Sequence, residues 1–178
     1  MTARASLETP RLLLRWMTEA DAGLMLAVWN DPDFIRHVTD RGVRTVAEAR
    51  QAMRDSLLKL YDDCGYGPYL IEPLEGGSPM GICGFFQREN FEYPDIGYAQ
   101  LPAYRGQGYA FEAAEAVVAH ARDHMALPKL VAIVSPANKR STRLLEKLGM
   151  SFERSLRMPG DEQDVSLYGM SLAVTERC

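Results

Sequence analysis

The strongest constraint in this 178-residue chain is an extended run, Asp95-Ile96-Gly97-Tyr98-Ala99-Gln100-Leu101, that turns through Gly106 and Gly108 straight into a helix. A helix start leaves about four backbone N–H groups without intrahelical partners and carries about half a positive charge. Glycines lack a Cβ, so the amides around them approach a ligand closely and at unusual backbone angles. A strand, a glycine turn and a helix in that order therefore make a cradle for an anion with several oxygens, a diphosphate above all.

The spacing separates this turn from other phosphate loops. A nucleotide P-loop has Lys and Ser or Thr after its last glycine, where this chain has Tyr109 and Ala110. A dinucleotide fingerprint has a third small residue where Phe111 stands. What remains, Arg105-x-x-Gly108-x-Ala110, resembles the Arg/Gln-x-x-Gly-x-Gly/Ala motif of the GNAT acetyltransferases. In that family the loop grips the pyrophosphate of coenzyme A. Two further segments agree: Glu8-Thr9-Pro10-Arg11-Leu12-Leu13-Leu14-Arg15 is similar to the opening strand of the RimJ/RimL-like branch, which acetylates protein N-termini and other amines. Asn138-Lys139-Arg140-Ser141 with Glu146-Lys147-Leu148-Gly149-Met150 is similar to its Asn-x-x-Ser and Glu-Lys-x-Gly-Phe segment.

Composition narrows the class. The chain is long enough for one domain, residues 1–178, and its 47% hydrophobic content supports a sizeable core. A net charge of -4 without a long Lys/Arg cluster argues against nucleic acid as a partner and suits an amine acceptor. Cys64, Cys83 and Cys178 have no C-x-x-C spacing, so reduced thiols are expected, not a disulfide framework or a zinc site. Neither a signal-peptide pattern nor a run of 18 apolar residues is present, so no membrane partner and a cytoplasmic location are expected.

Along the chain, residues 12–16 read as a strand and Thr18 to Asp21 as a helix cap, with a helix to about Asn30 that Asp31-Pro32-Asp33 ends. Thr45 and Glu48 form a capping box for a second helix to about Tyr61. Residues 69–72, 80–87 and 93–101 read as an antiparallel meander, with Glu75-Gly76-Gly77-Ser78 as its first turn. A helix over 110–125, a buried strand over 130–134, a helix over 140–148 stopped by Gly149, and strands over 152–158 and 165–174 complete the order. This order matches the α/β (α+β) GNAT acyl-CoA N-acyltransferase fold, a mixed, mostly antiparallel sheet of about seven strands flanked by about four helices. The resemblance implies that the strands ending at Leu101 and Val134 splay apart to admit the acyl-CoA arm.

It also implies roles. Arg105, Gly106, Gln107, Gly108, Tyr109 and Ala110 hold the diphosphate through backbone amides, with Arg105 adding charge; a plain helix-entry turn is the alternative. Backbone groups of Ala99, Gln100 and Leu101 pair with the pantetheine arm, and an N–H there polarises the thioester carbonyl. Asn138 hydrogen-bonds pantetheine or substrate, or caps the next helix. Many family members place a Tyr acid where this chain has Leu145, so Ser141 is the candidate that protonates the departing thiolate, against a second structural cap. Asp95 is the candidate proton acceptor, through a water, with Glu89 and Glu92 close in sequence; a solvated surface carboxylate is the simpler reading of each. His120 and His124 stand four apart on one helix but lack an evident third ligand, so no metal is expected. Trp16, Trp29, Phe34 and Met25 are core or pocket lining.

Together these readings make the chain an acetyl-CoA-dependent N-acetyltransferase, a monomer or homodimer, in which an amine attacks the thioester directly. The acceptor is a protein or peptide N-terminus, or alternatively a small amine or amino acid. A non-catalytic acyl-CoA-binding protein of the same fold is the rival reading. The two early helices and the turn around Asp161 to Asp164 would select the acceptor.

Overall fold

A computed structural model describes residues 6–172. Its centre is a sheet of eight strands: β1 (Leu7–Glu8), β2 (Leu12–Trp16), β3 (Pro68–Pro73), β4 (Gly81–Phe86), β5 (Asp95–Gln100), β6 (Lys129–Val134), β7 (Ser151–Arg157) and β8 (Asp164–Ser171), in the order β1-β2-β3-β4-β5-β6-β8-β7. Six α-helices accompany them: α1 (Ala22–Trp29), α2 (Pro32–His37), α3 (Val46–Asp55), α4 (Leu57–Cys64), α5 (Tyr109–Asp123) and α6 (Lys139–Lys147). Two-residue β1, which lacks room for an alternating pattern, takes the sheet past the expected seven. No helix among the described residues is long and apolar enough to cross a membrane.

Alternation along the strands sends side chains to two cores. Leu12, Leu14, Tyr69, Ile71, Cys83 and Phe85 face α5, whereas Leu70 and Ile82 face α1 and α3. Helix α5 meets the sheet with Ala113, Ala114, Val117, Val118 and Ala121, all buried at helical spacing. The small side chains let this helix lie close to the strands, so a larger residue at Ala114 would overpack the contact at about 1–3 kcal/mol.

The helical region differs from expectation in two places. Asp31-Pro32-Asp33 does not only end α1: the Asp31 side chain accepts from the Phe34 N–H at 3.2 Å and Pro32 supplies the first residue of α2. The helix begun at Thr45 breaks at Ser56, whose hydroxyl donates to the Ala52 carbonyl at 2.6 Å and pulls the backbone out of register, so α3 and α4 are separate. The capping boxes at Thr18 and Thr45 form as the residues suggest. The last strand is expected to reach Val174, but β8 ends at Ser171 and residues 173–174 lie outside the described range.

Every neighbouring strand pair is antiparallel except β5 and β6. These two run parallel, with α5 in the crossover between them, and pair only at Asp95 and Val131. Beyond that point they diverge as the sequence comparison implies, opening a V in the sheet whose apex is Asp95.

Candidate active site

Above the mouth of the V, Leu101 leads into a single 3-10 turn over Pro102–Tyr104, and the chain then takes left-handed conformations at Gly106 (φ 74°) and Gly108 (φ 83°). A residue with a Cβ pays about 1–2 kcal/mol for that conformation, which explains glycine at both positions. Gly108 is the N-cap of α5 and offers no capping side chain. The first intrahelical bond runs from the Glu112 N–H to the Gly108 carbonyl at 3.0 Å, so the amides of Tyr109, Ala110 and Phe111 have no helical partner. They are oriented donors for an anion at the positive end of a 15-residue helix.

Helix α6 faces this loop across a cavity of about 320 Å³ and adds to it Arg140, Arg143 and Lys147. Spacings of three and four residues put these cations on one helical face. Their periodicity is visible in the sequence, but only packing brings that face to the glycine turn. Gln107 and Tyr109 serve the loop from behind: the Gln107 carbonyl accepts from Arg11 Nη1 at 3.0 Å, and the Arg11 guanidinium lies 4.4 Å from the centre of the Tyr109 ring. Glu112 fixes Arg11 in turn through an ion pair of 2.6 Å.

Arg105 is engaged elsewhere than with an anion. Its guanidinium donates to the Gln100 carbonyl at 2.8 and 3.1 Å, pairs with Asp33 at 3.0 Å and pairs with the buried Asp31. It therefore ties the end of β5 to the start of α2; Arg140 shares Asp33 at 3.3 Å, and the loop's further positive charge comes from Arg143, Lys147 and the helix dipole. This placement differs from the expected charge contribution because Asp31 and Asp33, which look like helix punctuation in sequence, are brought against it.

The backbone of β5 divides by alternation. The Leu101 N–H is taken by the Met80 carbonyl of the β4 side at 2.9 Å, so Leu101 and Ala99 turn their main-chain groups toward β4. Tyr98 and Gln100 turn theirs into the V. Gln100 already gives its carbonyl to Arg105, which leaves the Gln100 N–H and both main-chain groups of Tyr98 to meet an extended ligand arm.

A second cavity, of about 400 Å³, opens on the other side of the V. Trp29, Leu57, Ile82, Phe86, Leu145 and Met158 form apolar walls, and Arg41, Arg88, Asp95 and Asp161 are its charged members. Phe34, His37, Val38, Tyr98, Ala99, Asn138 and Ser141 line both cavities, so any group passing from one ligand to another does so among these residues.

At this junction Ser141 Oγ donates to Tyr98 Oη at 3.1 Å, while Tyr98 Oη donates to the Ser141 carbonyl at 3.1 Å. Burial pushes the Tyr98 phenol up to about 12, against the opposing hydrogen bond from Ser141. Asn138 Oδ1 accepts the Ser141 N–H at 3.2 Å, capping α6 and placing Ser141 in its first turn. Leu145, where a Tyr is common in the resembled family, is 2% exposed in the core. A phenol stands beside Ser141 nonetheless, contributed by β5. Sequence reading passed over Tyr98, although the Ile-Gly-Tyr run contains it, because the Tyr98–Ser141 contact spans 43 positions. His37 was missed as well; it lines both cavities, and its Nδ1 is buried without a partner.

Asp95 corrects the surface-carboxylate reading: it is 3% exposed at the apex of the V. Burial raises its pKa, opposed by Arg88, whose Nε lies 3.2 Å from Oδ2, and Oδ1 is buried without a hydrogen-bond partner. A carboxylate held in this way is a stronger base than a solvated one. Glu89 and Glu92 are exposed and line neither cavity. His120 and His124 lie with ring centroids 5.3 Å apart, His120 edge-on to Tyr69, and no group of three metal-ligating side chains occurs among the described residues.

Comparison with known proteins agrees with this geometry. Residues 11–151 match the family described as Acetyltransferase (GNAT) domain. An uncharacterized protein of Bacillus subtilis, YkkB, is 32% identical over 88% of this chain and 91% of its own, and the uncharacterized N-acetyltransferase YoaA of the same organism is 27% identical over 92% and 95%. Among solved structures, an acetyltransferase from Agrobacterium tumefaciens superposes with a TM-score of 0.79 at 26% identity, covering 96% of each chain. RimL, a ribosomal L7/L12 alpha-N-protein acetyltransferase solved with coenzyme A, shares the fold at a TM-score of 0.80 and 20% identity, over 94% of this chain and 98% of that one. A glycine cradle at a helix start, a sheet opened at one parallel pair and a family match over most of the chain converge: the protein belongs to the GNAT family and is an acetyl-CoA-dependent acetyltransferase.

Proposed function

We propose that the chain acetylates an α-amine, with acetyl-CoA in the cavity lined by the glycine loop and α6, and the amine in the cavity beyond the V. The observation that carries this reading is the set of seven residues common to both cavities, because direct transfer needs the two ligands to meet without a covalent enzyme intermediate. Acetyl-CoA supplies an activated acyl group on a thiol leaving group. The amides of Tyr109, Ala110 and Phe111 hold its diphosphate, with Gly106 and Gly108 permitting their approach. The main-chain groups of Tyr98 and Gln100 align the arm, and Asn138 keeps Ser141 in place.

The hydrogen-bonding pair Tyr98 and Ser141 faces the departing sulfur. With the phenol near 12 and a thiol near about 8.5, complete proton transfer from Tyr98 is uphill by about 5 kcal/mol. The Tyr98 proton turns from the Ser141 carbonyl toward the developing negative charge while Ser141 Oγ keeps donating to Tyr98 Oη, and the thiolate leaves hydrogen-bonded without being fully protonated.

The amine's proton passes through water to Asp95, whose raised pKa suits it to that task. An α-amine near pKa 8 is about 10% neutral at pH 7, whereas a lysine-like amine near 10.4 is below about 0.1%. A single carboxylate base therefore fits an α-amine better, such as a peptide N-terminus. No metal takes part in this reading.

The test is initial-rate acetylation of peptides with a free N-terminus against the same peptides with a blocked N-terminus and one lysine. Preference for the free α-amine by at least tenfold in kcat/KM is expected. Equal rates would overturn the choice of acceptor, and coenzyme A binding without turnover on any amine would favour a non-catalytic role.

A further inference from the structure

The acceptor cavity contains one cation, Arg41, that has no ion pair or side-chain hydrogen bond among the described residues. Its guanidinium lies 4.8 Å from the centre of the Trp29 ring. Its neighbour Asp40 is taken by Arg44 at 2.6 Å. Asp95, on the opposite wall, is taken by Arg88 through Nε at 3.2 Å, which leaves the terminal nitrogens of Arg88 without an acidic partner. Asp161 stands at the exposed edge of the cavity and forms no ion pair with either arginine. The two guanidiniums also act on each other: burial lowers the pKa of Arg41, and the charge of Arg88 lowers it further.

Arg41 is exposed and Arg88 is half-buried against Asp95, so an anion entering the cavity would meet the Arg41 fork without having to displace a protein partner from it. A guanidinium presents parallel N–H groups that match a carboxylate in bidentate fashion, and the Trp29 ring gives that of Arg41 an aromatic face to lie over. We propose that the acceptor carries a carboxylate close to its reactive α-amine, and that Arg41, with the free edge of Arg88, binds it. This inference rests on the assignment of the second cavity to the acceptor and adds the substrate's chemical class to it. A peptide with Asp or Glu at its N-terminal end and a free dicarboxylic amino acid share the required group, with the apolar walls receiving the remainder.

The test compares otherwise identical peptides beginning with Glu, Ser or Lys, together with free glutamate, in two measurements: kcat/KM for acetylation and quenching of tryptophan fluorescence on binding in the presence of coenzyme A. For the native enzyme we expect the acidic acceptors to exceed the Ser peptide by at least tenfold, through KM, with the advantage shrinking as salt is raised. Arg41→Gln should abolish that advantage, bringing the Glu and Ser peptides to within about twofold of each other in kcat/KM, and Arg41→Glu should favour the Lys peptide. A preference for glutamate over the Glu peptide locates the carboxylate on a small molecule; the reverse locates it on a polypeptide, and both support the inference. Turnover without preference for acidic acceptors, or a preference unchanged in Arg41→Gln of native unfolding temperature, overturns it. Should no acceptor be acetylated, the proposed function fails, and the fluorescence titration still decides whether acidic ligands bind through Arg41.

Discussion

The two halves of the cleft are made of different material. On the side proposed for coenzyme A the donors are main-chain amides, held by Gly106 and Gly108 in conformations that side-chain-bearing residues resist, with cations from one helical face behind them. On the side proposed for the acceptor, the polar groups are the side chains of Arg41, Arg88 and Asp95, set in apolar walls. A diphosphate and an extended arm can be read by backbone geometry, since those ligand parts are constant. An acceptor is read by side-chain chemistry, which changes readily without disturbing the sheet.

The largest effect is expected at the ion pair that ties the end of β5 to the start of α2 beside the first cavity. Arg105→Ala leaves Asp31, 5% exposed at its side chain, buried without its cation and should lower stability by about 3–5 kcal/mol in chemical denaturation. A loss below about 1 kcal/mol would mean that β5 and α2 are held together independently of this ion pair.

Next in size is Gly108→Val, which forces a left-handed backbone and places a Cβ about as close as 3.3 Å to Arg11 Nη2. Coenzyme A affinity measured by calorimetry should fall at least tenfold, about 1.4 kcal/mol, with acceptor binding unaffected. Unchanged affinity would remove the loop from the site.

Tyr98→Phe probes the junction, and should lower kcat about tenfold, about 1.4 kcal/mol in the barrier, while coenzyme A affinity stays within twofold. Ser141→Ala should act in the same direction. A variant that instead loses only coenzyme A affinity would assign these hydroxyls to binding.

The smallest effect is in stability against pH. Because burial raises the Asp95 pKa, the unfolded chain releases this proton first as pH rises. Stability contributed by the protonated carboxyl is present below the unfolded value, about 3.9, and is lost as pH climbs through the raised folded value. Asp95→Asn should flatten that decline in a denaturation series; an unaltered pH profile would mean that Arg88 offsets the burial.

What could be read beforehand follows the same division. The capping box at Thr45, the helix-stopping Gly149 (φ 93°) and the glycine turn all depend on residues within a few positions of one another, and each is found where the local pattern places it. Short-range patterns did mislead where two local signals competed, as at Ser56, whose hydroxyl interrupts a continuous helical periodicity, and at Asp31, whose punctuation also starts a helix. For Asp95, an acidic residue near a turn looks solvated until β6 and Arg88 close over it.

The amino-acid sequence alone determined the order of strands β2 to β8, the glycine turn into α5 and the family, because these arise from periodicity, glycine conformations and short motifs that need only near neighbours. Tertiary structure alone decided that Arg105 joins β5 to α2, that Tyr98 meets Ser141, and that Arg41 and Arg88 face one cavity. Those contacts join residues 43 to 74 positions apart or depend on which strands diverge, and no local pattern encodes the closing of such distances.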